Sequence, residues 1–153
     1  MIIKAYEHEK IKKINNKIFL FYGENNGYKN QVVQKVFFEK FKGSIERYEE
    51  NEILNNYDNF ISGLTNKSFF EELKLILISR VSEKITKLID EILERKINDI
   101  TFVLNAGNLE KKSKIRKIFE KERNLICVPF YKDDDRTLMQ IANNFFRNNK
   151  IPI

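Results

Sequence analysis

Short apolar runs alternate along this chain with longer stretches in which apolar residues recur at helical spacing. Residues 17–22, Lys-Ile-Phe-Leu-Phe-Tyr, form a compact run closed by Gly23, the pattern of a strand buried on both faces. Over 27–41 the residues Tyr28, Val32, Val33, Val36, Phe37 and Phe41 keep a helical period, and Lys42-Gly43 stops it. Residues 45–48 read as a second short strand and 51–64 as a weaker helix carrying Ile53, Leu54, Tyr57, Phe60 and Ile61. The clearest strand is 73–78, Leu-Lys-Leu-Ile-Leu-Ile, followed by an amphipathic helix marked by Ile85, Leu88, Ile89, Ile92 and Leu93. A fourth strand, 100–104, ends at Asn105-Ala106-Gly107 and leads into a Lys-rich helix striped by Ile115, Ile118 and Phe119. A fifth strand covers 125–130. A last helix is expected around Leu138, Ile141, Ala142, Phe145 and Phe146, with Asp133, Asp134 and Asp135 at its positive end.

Strands that alternate with helices predict an α/β fold: a three-layer αβα domain around a five-stranded parallel sheet. The length of 153 residues suits one domain. With 42% hydrophobic and 33% charged residues, the chain has enough apolar surface for a core, which excludes a disordered class. The formal charge of +6 is compatible with a nucleic-acid neighbourhood and equally with a Lys-rich soluble domain. A single cysteine, Cys127, excludes an intramolecular disulfide and fits a reducing, cytoplasmic setting. No apolar segment follows Ile2 and Ile3 as a signal peptide would require, and no run approaches the roughly 18 apolar residues of a membrane span.

The turn after the first strand stands where a P-loop would. A P-loop needs glycine, four residues, glycine, lysine, then a hydroxyl residue. Aligned on Gly23, the second glycine position holds Tyr28, the lysine position holds Lys29, and the hydroxyl position holds Asn30. A tyrosine obstructs the close backbone approach a phosphate requires, and asparagine offers no hydroxyl to magnesium. The third strand runs out through Ser79-Arg80 with no acid before Glu83. The expectation is an NTPase-shaped domain with a degenerate loop, in which Gly23 and Gly27 merely turn strand into helix. The reading that keeps a working nucleotide enzyme rests on Lys29 alone.

Other candidates carry less chemistry. His8 is the only histidine and lacks partners at metal spacing, so a solvated side chain is expected and no metal site. Cys127 sits inside an apolar strand and reads as core. Lys111, Lys112, Lys114, Arg116 and Lys117 form a basic run, read either as a solvated helix face or as an electrostatic track for DNA or a partner. Phe69 and Phe70 are adjacent rings before a strand. Neighbours on a helix point about 100° apart, so both do not easily share one buried stripe. The pattern leaves two readings: a core closure of the sheet edge, or an exposed pair offered to a partner's hydrophobic pocket.

Taken together, 18–24 (Ile-Phe-Leu-Phe-Tyr-Gly-Glu), 68–78 (Ser-Phe-Phe-Glu-Glu-Leu-Lys-Leu-Ile-Leu-Ile) and 100–114, with Leu109-Glu110-Lys111-Lys112-Ser113-Lys114, are similar in order and spacing to the delta subunits of the bacterial DNA polymerase III clamp loader. The resemblance covers essentially the whole chain and corresponds to that family's first domain of three, so it implies a chain without the family's second domain and C-terminal collar domain. It implies an AAA+-like, P-loop NTPase-like fold with a degenerate P-loop, no cofactor and no catalysis by this domain, DNA synthesis belonging to other subunits of the holoenzyme. It also implies partners: the sliding clamp (beta subunit), the other clamp-loader subunits, and primed DNA in the full assembly. In that family a leucine-phenylalanine pair inserts into the clamp's pocket and helps open the ring. Phe70 matches that pair, whereas Phe69 departs from the leucine.

Overall fold

In the computed structural model the described residues are 1–39, 41–65, 73–97 and 99–131. Five strands, β1 (Ile18–Tyr22), β2 (Ser44–Glu49), β3 (Lys74–Val81), β4 (Ile100–Ala106) and β5 (Leu125–Pro129), form one sheet. Their order is β2-β3-β4-β1-β5 and every pairing is parallel. The expected parallel sheet is therefore present, with β1 held between Phe102 and Leu125 at its first residue, Ile18.

The apolar runs are continuous because alternate residues feed two separate cores. Ile18, Leu20 and Tyr22 face one side with Phe102, Leu104, Leu125 and Cys127. Phe19 and Phe21 face the other with Val103, Ile126 and Val128. A strand covered on both faces has no position left for a polar residue.

Helices α1 (Asn26–Val33), α2 (Glu50–Leu54), α3 (Tyr57–Thr65), α4 (Thr86–Glu94) and α5 (Lys114–Lys121) divide between those faces. The connection from β1 to β2 crosses the sheet in one direction, and the later connections run in the other. Right-handed crossovers then put α1 on one face and the remaining helices on the opposite one. The cores agree: Val32 and Val33 join Phe19 and Phe21, whereas Ile53, Ile61, Leu88, Ile92, Ile115 and Phe119 join Leu20 and Phe102.

Several boundaries differ from the sequence reading. The helix expected over 51–64 is two helices, broken at Asn55-Asn56. That expected over 27–41 is α-helical only to Val33. Gln34–Phe38 then widens into a π turn, in which the Glu39 amide donates to the Gln34 carbonyl at 3.0 Å. The extra residue brings Phe37 onto Phe19 and Phe21, with ring centroids 5.0 and 5.9 Å apart. The third strand runs on to Val81, with an irregularity between Ile78 and Val81 that leaves Arg80 at φ 55°.

The polar N-terminal stretch around His8 packs onto the domain. Ala5–Lys13 forms 3-10 helix whose buried residues, His8 and Ile11, are spaced three apart, as that helix requires. His8 is only 6% exposed, which corrects the expectation of a solvated side chain. Upstream of it, Ile3 donates to the Cys127 carbonyl and Cys127 to that of Met1, so residues 1–3 cover the outer edge of β5. Among the described residues no helix is long and apolar enough to cross a membrane. The expected last helix and Asp133 to Asp135 lie outside the described residues.

Candidate functional site

Open parallel sheets place ligands beyond the C-terminal ends of strands, where successive connections part to opposite faces. Here that point lies between β1 and β4: the chain leaves β1 for α1 on one face and β4 for α5 on the other. The Gly23 to Asn30 turn occupies this crevice.

Gly23 starts the turn at φ 115°, a backbone conformation suited to glycine. A Cβ there would stand 2.0 Å from the Phe130 carbonyl oxygen, so the site requires glycine on two counts. Gly27 differs, since the nearest atom to an added Cβ is the Asn25 side-chain oxygen at 4.0 Å. The side chain of Asn25 caps α1 by accepting from the Tyr28 amide at 3.1 Å.

Several of the turn's donors are directed into the chain itself. Gly23 N–H donates to the Gly107 carbonyl at 2.9 Å, Asn25 to that of Phe130 at 3.3 Å, and Asn26 to that of Glu24 at 2.9 Å. Lys29 N–H donates to the Asn25 carbonyl at 3.0 Å. A phosphate cradle needs such amides converging on empty space; these four are each taken by an oxygen of the protein.

Lys29 is turned inward as well. Its side chain is 1% exposed, and Nζ donates to the Ala106 carbonyl at the end of β4, 2.8 Å away. Burial pushes its ammonium below the usual lysine range. Asn30, next in sequence, is exposed, so the lysine and hydroxyl positions of the P-loop pattern part company. Tyr28 fills the space that the pattern assigns to glycine. Its ring meets Phe130 edge-on at 5.4 Å and His8 at 6.4 Å, and its hydroxyl donates to the Ala5 carbonyl at 3.3 Å.

Lys29 gives a measurable pH dependence. Its folded-state value is depressed below the unfolded value of about 10.4, so the unfolded chain binds the proton more readily. The stabilisation associated with the neutral amine is complete above the unfolded value and is lost as pH falls through the folded one. Denaturation midpoints of wild type and Lys29→Met, compared between about pH 8 and pH 10.5, should show the wild type gaining on the variant as pH rises. A constant difference would mean the ammonium is not desolvated. Near neutral pH the variant should lie within about 1 kcal/mol of wild type, because loss of one hydrogen bond is offset by relief of a buried charge.

The acids nearest the tip of β3 are committed elsewhere. Glu83 accepts from the Ser113 hydroxyl and from the Ile115 amide at 3.0 Å, capping α5. Glu50, buried at the start of α2, accepts from the Ser82 amide at 2.9 Å and the Ser82 hydroxyl at 2.7 Å. Sequence reading missed this Glu50–Ser82 tie, and nothing in their separation along the chain signals it. Among the described residues no group of three or more His, Cys, Asp or Glu could hold a metal ion.

Of the basic run, Lys111, Lys112, Lys114 and Lys117 are exposed. Arg116 is not part of that face. Its Nε donates to Glu120 at 2.7 Å, a second guanidinium nitrogen donates to the Leu109 carbonyl at 3.0 Å, and the group lies 5.3 Å from the Tyr22 ring centroid. It fastens the loop after β4 to α5, an arrangement its i, i+4 spacing to Glu120 could have signalled. Cys127 is fully buried, and burial pushes its thiol up to about 11, so a reactive thiolate is absent near neutral pH. Phe69 and Phe70 lie outside the described residues. Searches of protein-family models and of curated proteins find no match to this chain.

Proposed function

We propose that this chain is a clamp-loader domain of the delta type: an AAA+-like, P-loop NTPase-shaped unit that does not hydrolyse ATP. It binds the sliding clamp through Phe69 and Phe70 and helps open it for loading onto primed DNA in the cytoplasm. One observation carries the non-hydrolysing character. The lysine that would meet a phosphate is buried on the Ala106 carbonyl, and the amides of Gly23, Asn25 and Asn26 donate to carbonyls of the chain. The resemblance of residues 18–24, 68–78 and 100–114 supports the clamp-binding role. The position of the turn, after β1 in the crevice between β1 and β4, supports the NTPase-like ancestry.

Binding of the protein to the sliding clamp of its own organism tests this reading. Phe70→Ala is expected to weaken binding about 30-fold, the ~2 kcal/mol typical of a central aromatic anchor. Tight binding that survives the substitution removes the assigned contact. Calorimetry with Mg-ATP should give no heat of binding, and a micromolar affinity would restore the reading as a nucleotide-binding enzyme. The exposure of Lys111, Lys112, Lys114 and Lys117 favours a second reading, a nucleic-acid-binding module. Strong, steeply salt-dependent DNA binding by the chain alone would support it.

A further inference from the structure

At the end of the sheet opposite the degenerate turn, a cleft of about 410 Å³ lies between the starts of β1 and β5 and the end of α4. Small-molecule sites run from roughly 300 to 1,000 Å³, so it has room for one compact ligand. Lys17, Lys96 and Arg123 line it, each from a different connection: into β1, out of α4 and out of α5. Among the described residues none of these three side chains is held in an ion pair, whereas Lys12, Lys35, Lys74 and Lys112 all are. The acids next to them along the chain, Glu94 and Glu122, are exposed, and no carboxylate of the described residues lines the cleft.

The cations stand on backbone that is already fixed. The Lys17 carbonyl accepts from the Phe102 amide at 2.7 Å, and the Arg123 carbonyl accepts from the Asn16 side chain at 2.9 Å. Lys96 stands at φ 54° in the turn that ends α4, where its amide donates to the Leu93 carbonyl at 3.3 Å and that of Ile97 to the Ile92 carbonyl at 3.3 Å. Glycine is the usual residue at that place in a helix-ending turn, so the backbone alone gives no reason for a lysine. Magnitudes then select the ligand. Helices α4 and α5 both end at this edge, each presenting about half a unit of negative charge. Set against the three cations, that leaves about two positive units. One carboxylate would leave about half of that unbalanced. A phosphate monoester carries about 1.5–2 negative charges near neutral pH and offers acceptor oxygens to several donors at once. Leu93 and Ile97, both half-buried, add an apolar wall beside the cations.

We infer that this cleft binds a small phosphate monoester, its phosphoryl group among Lys17, Lys96 and Arg123 and its apolar body against Leu93 and Ile97. The site stands apart from the clamp reading, and nothing in it depends on Phe69, Phe70 or the degenerate turn. A guanidinium takes two phosphate oxygens at once, whereas ammonium groups act as point charges. Arg123 therefore sets the orientation, and the two lysines supply attraction. A bound phosphate joins the connections leading into β1, β4 and β5, so it should also raise the denaturation midpoint.

Titration calorimetry of the full chain with phenyl phosphate and with phenyl sulfate tests the site, because the two probes share a shape and differ in charge. Phenyl phosphate is expected to bind with a dissociation constant of about 1 mM or below, and the singly charged sulfate at least about five-fold more weakly. Lys96→Gly with Arg123→Gln should weaken phenyl phosphate at least about ten-fold, while Lys84→Gln with Lys87→Gln, at the other end of α4, stays within about two-fold. All four residues are exposed. Lys96→Gly alone should raise the denaturation midpoint of the ligand-free chain, because it relieves φ 54°, so lost binding is not lost folding. No heat with phenyl phosphate, or unchanged affinity in the cleft variant, overturns the inference. Equal losses in both variants reduce the effect to net charge and overturn it too. Phenyl sulfate that binds as tightly as the phosphate overturns the assignment of a phosphate ligand. An oligonucleotide that binds about ten-fold more tightly with a 5′-phosphate than with a 5′-hydroxyl supports the phosphate site and moves its source from a free ester to a nucleic-acid end.

Discussion

Replacing Gly23 by alanine should destabilise the fold by about 3–5 kcal/mol, combining the cost of a non-glycine residue at positive φ with that of a forced backbone shift. The shift is unavoidable, because the added carbon would sit 2.0 Å from the Phe130 carbonyl oxygen. That oxygen cannot withdraw freely. It accepts from the Asn25 amide at 3.3 Å, and the Phe130 amide is itself held at 2.7 Å by the Tyr22 carbonyl. The strain therefore passes into β5 and the outer edge of the sheet. Domains of this size are stable by only about 5–15 kcal/mol, so urea denaturation should show a midpoint moved far to the left. A loss below about 1 kcal/mol would show that the turn relaxes easily, and that its closed form is not firmly imposed by the fold.

Restoring the P-loop glycine with Tyr28→Gly is the second large effect, expected at about 4 kcal/mol from the loss of a buried aromatic side chain and the addition of a helical glycine. The ring is 8% exposed and packed edge-on between Phe130 and His8, so its removal leaves a void on that face of the sheet. The substitution should not create a nucleotide site. Lys29 remains on the Ala106 carbonyl, and the amides of Gly23, Asn25 and Asn26 keep their internal partners. Calorimetry with Mg-ATP on the folded variant should stay flat. Heat of binding would mean that the tyrosine alone keeps the nucleotide out, and that the inward-turned amides follow from its presence.

Much of the scaffold is legible in the sequence for a simple reason. Strands covered on both faces must be apolar without interruption, so Ile18 to Tyr22 and Leu125 to Val128 announce themselves. The degenerate turn is legible too, because a tyrosine in place of glycine is visible at the level of residue identity. What Lys29 does is not. A lysine after a turn can reach outward to a ligand or inward to a carbonyl, and only the position of Ala106, supplied by a distant strand, decides between them. Arg116 escaped the reading because charge runs say nothing of direction, and a tyrosine ring with two acceptors drew it out of the run. His8 escaped because a three-residue spacing over one short polar stretch leaves almost no trace.

The π turn at Gln34–Phe38 has a consequence for how this chain can vary in length. The wide turn holds one residue more than an α turn over nearly the same rotation, so losing one residue there would let the helix close into regular winding with Phe41 still on the apolar layer it leans on and Gly43 still against the Leu73 carbonyl. A deletion within Asn26–Val33, where the winding is already regular, would instead rotate everything beyond it by about 100°.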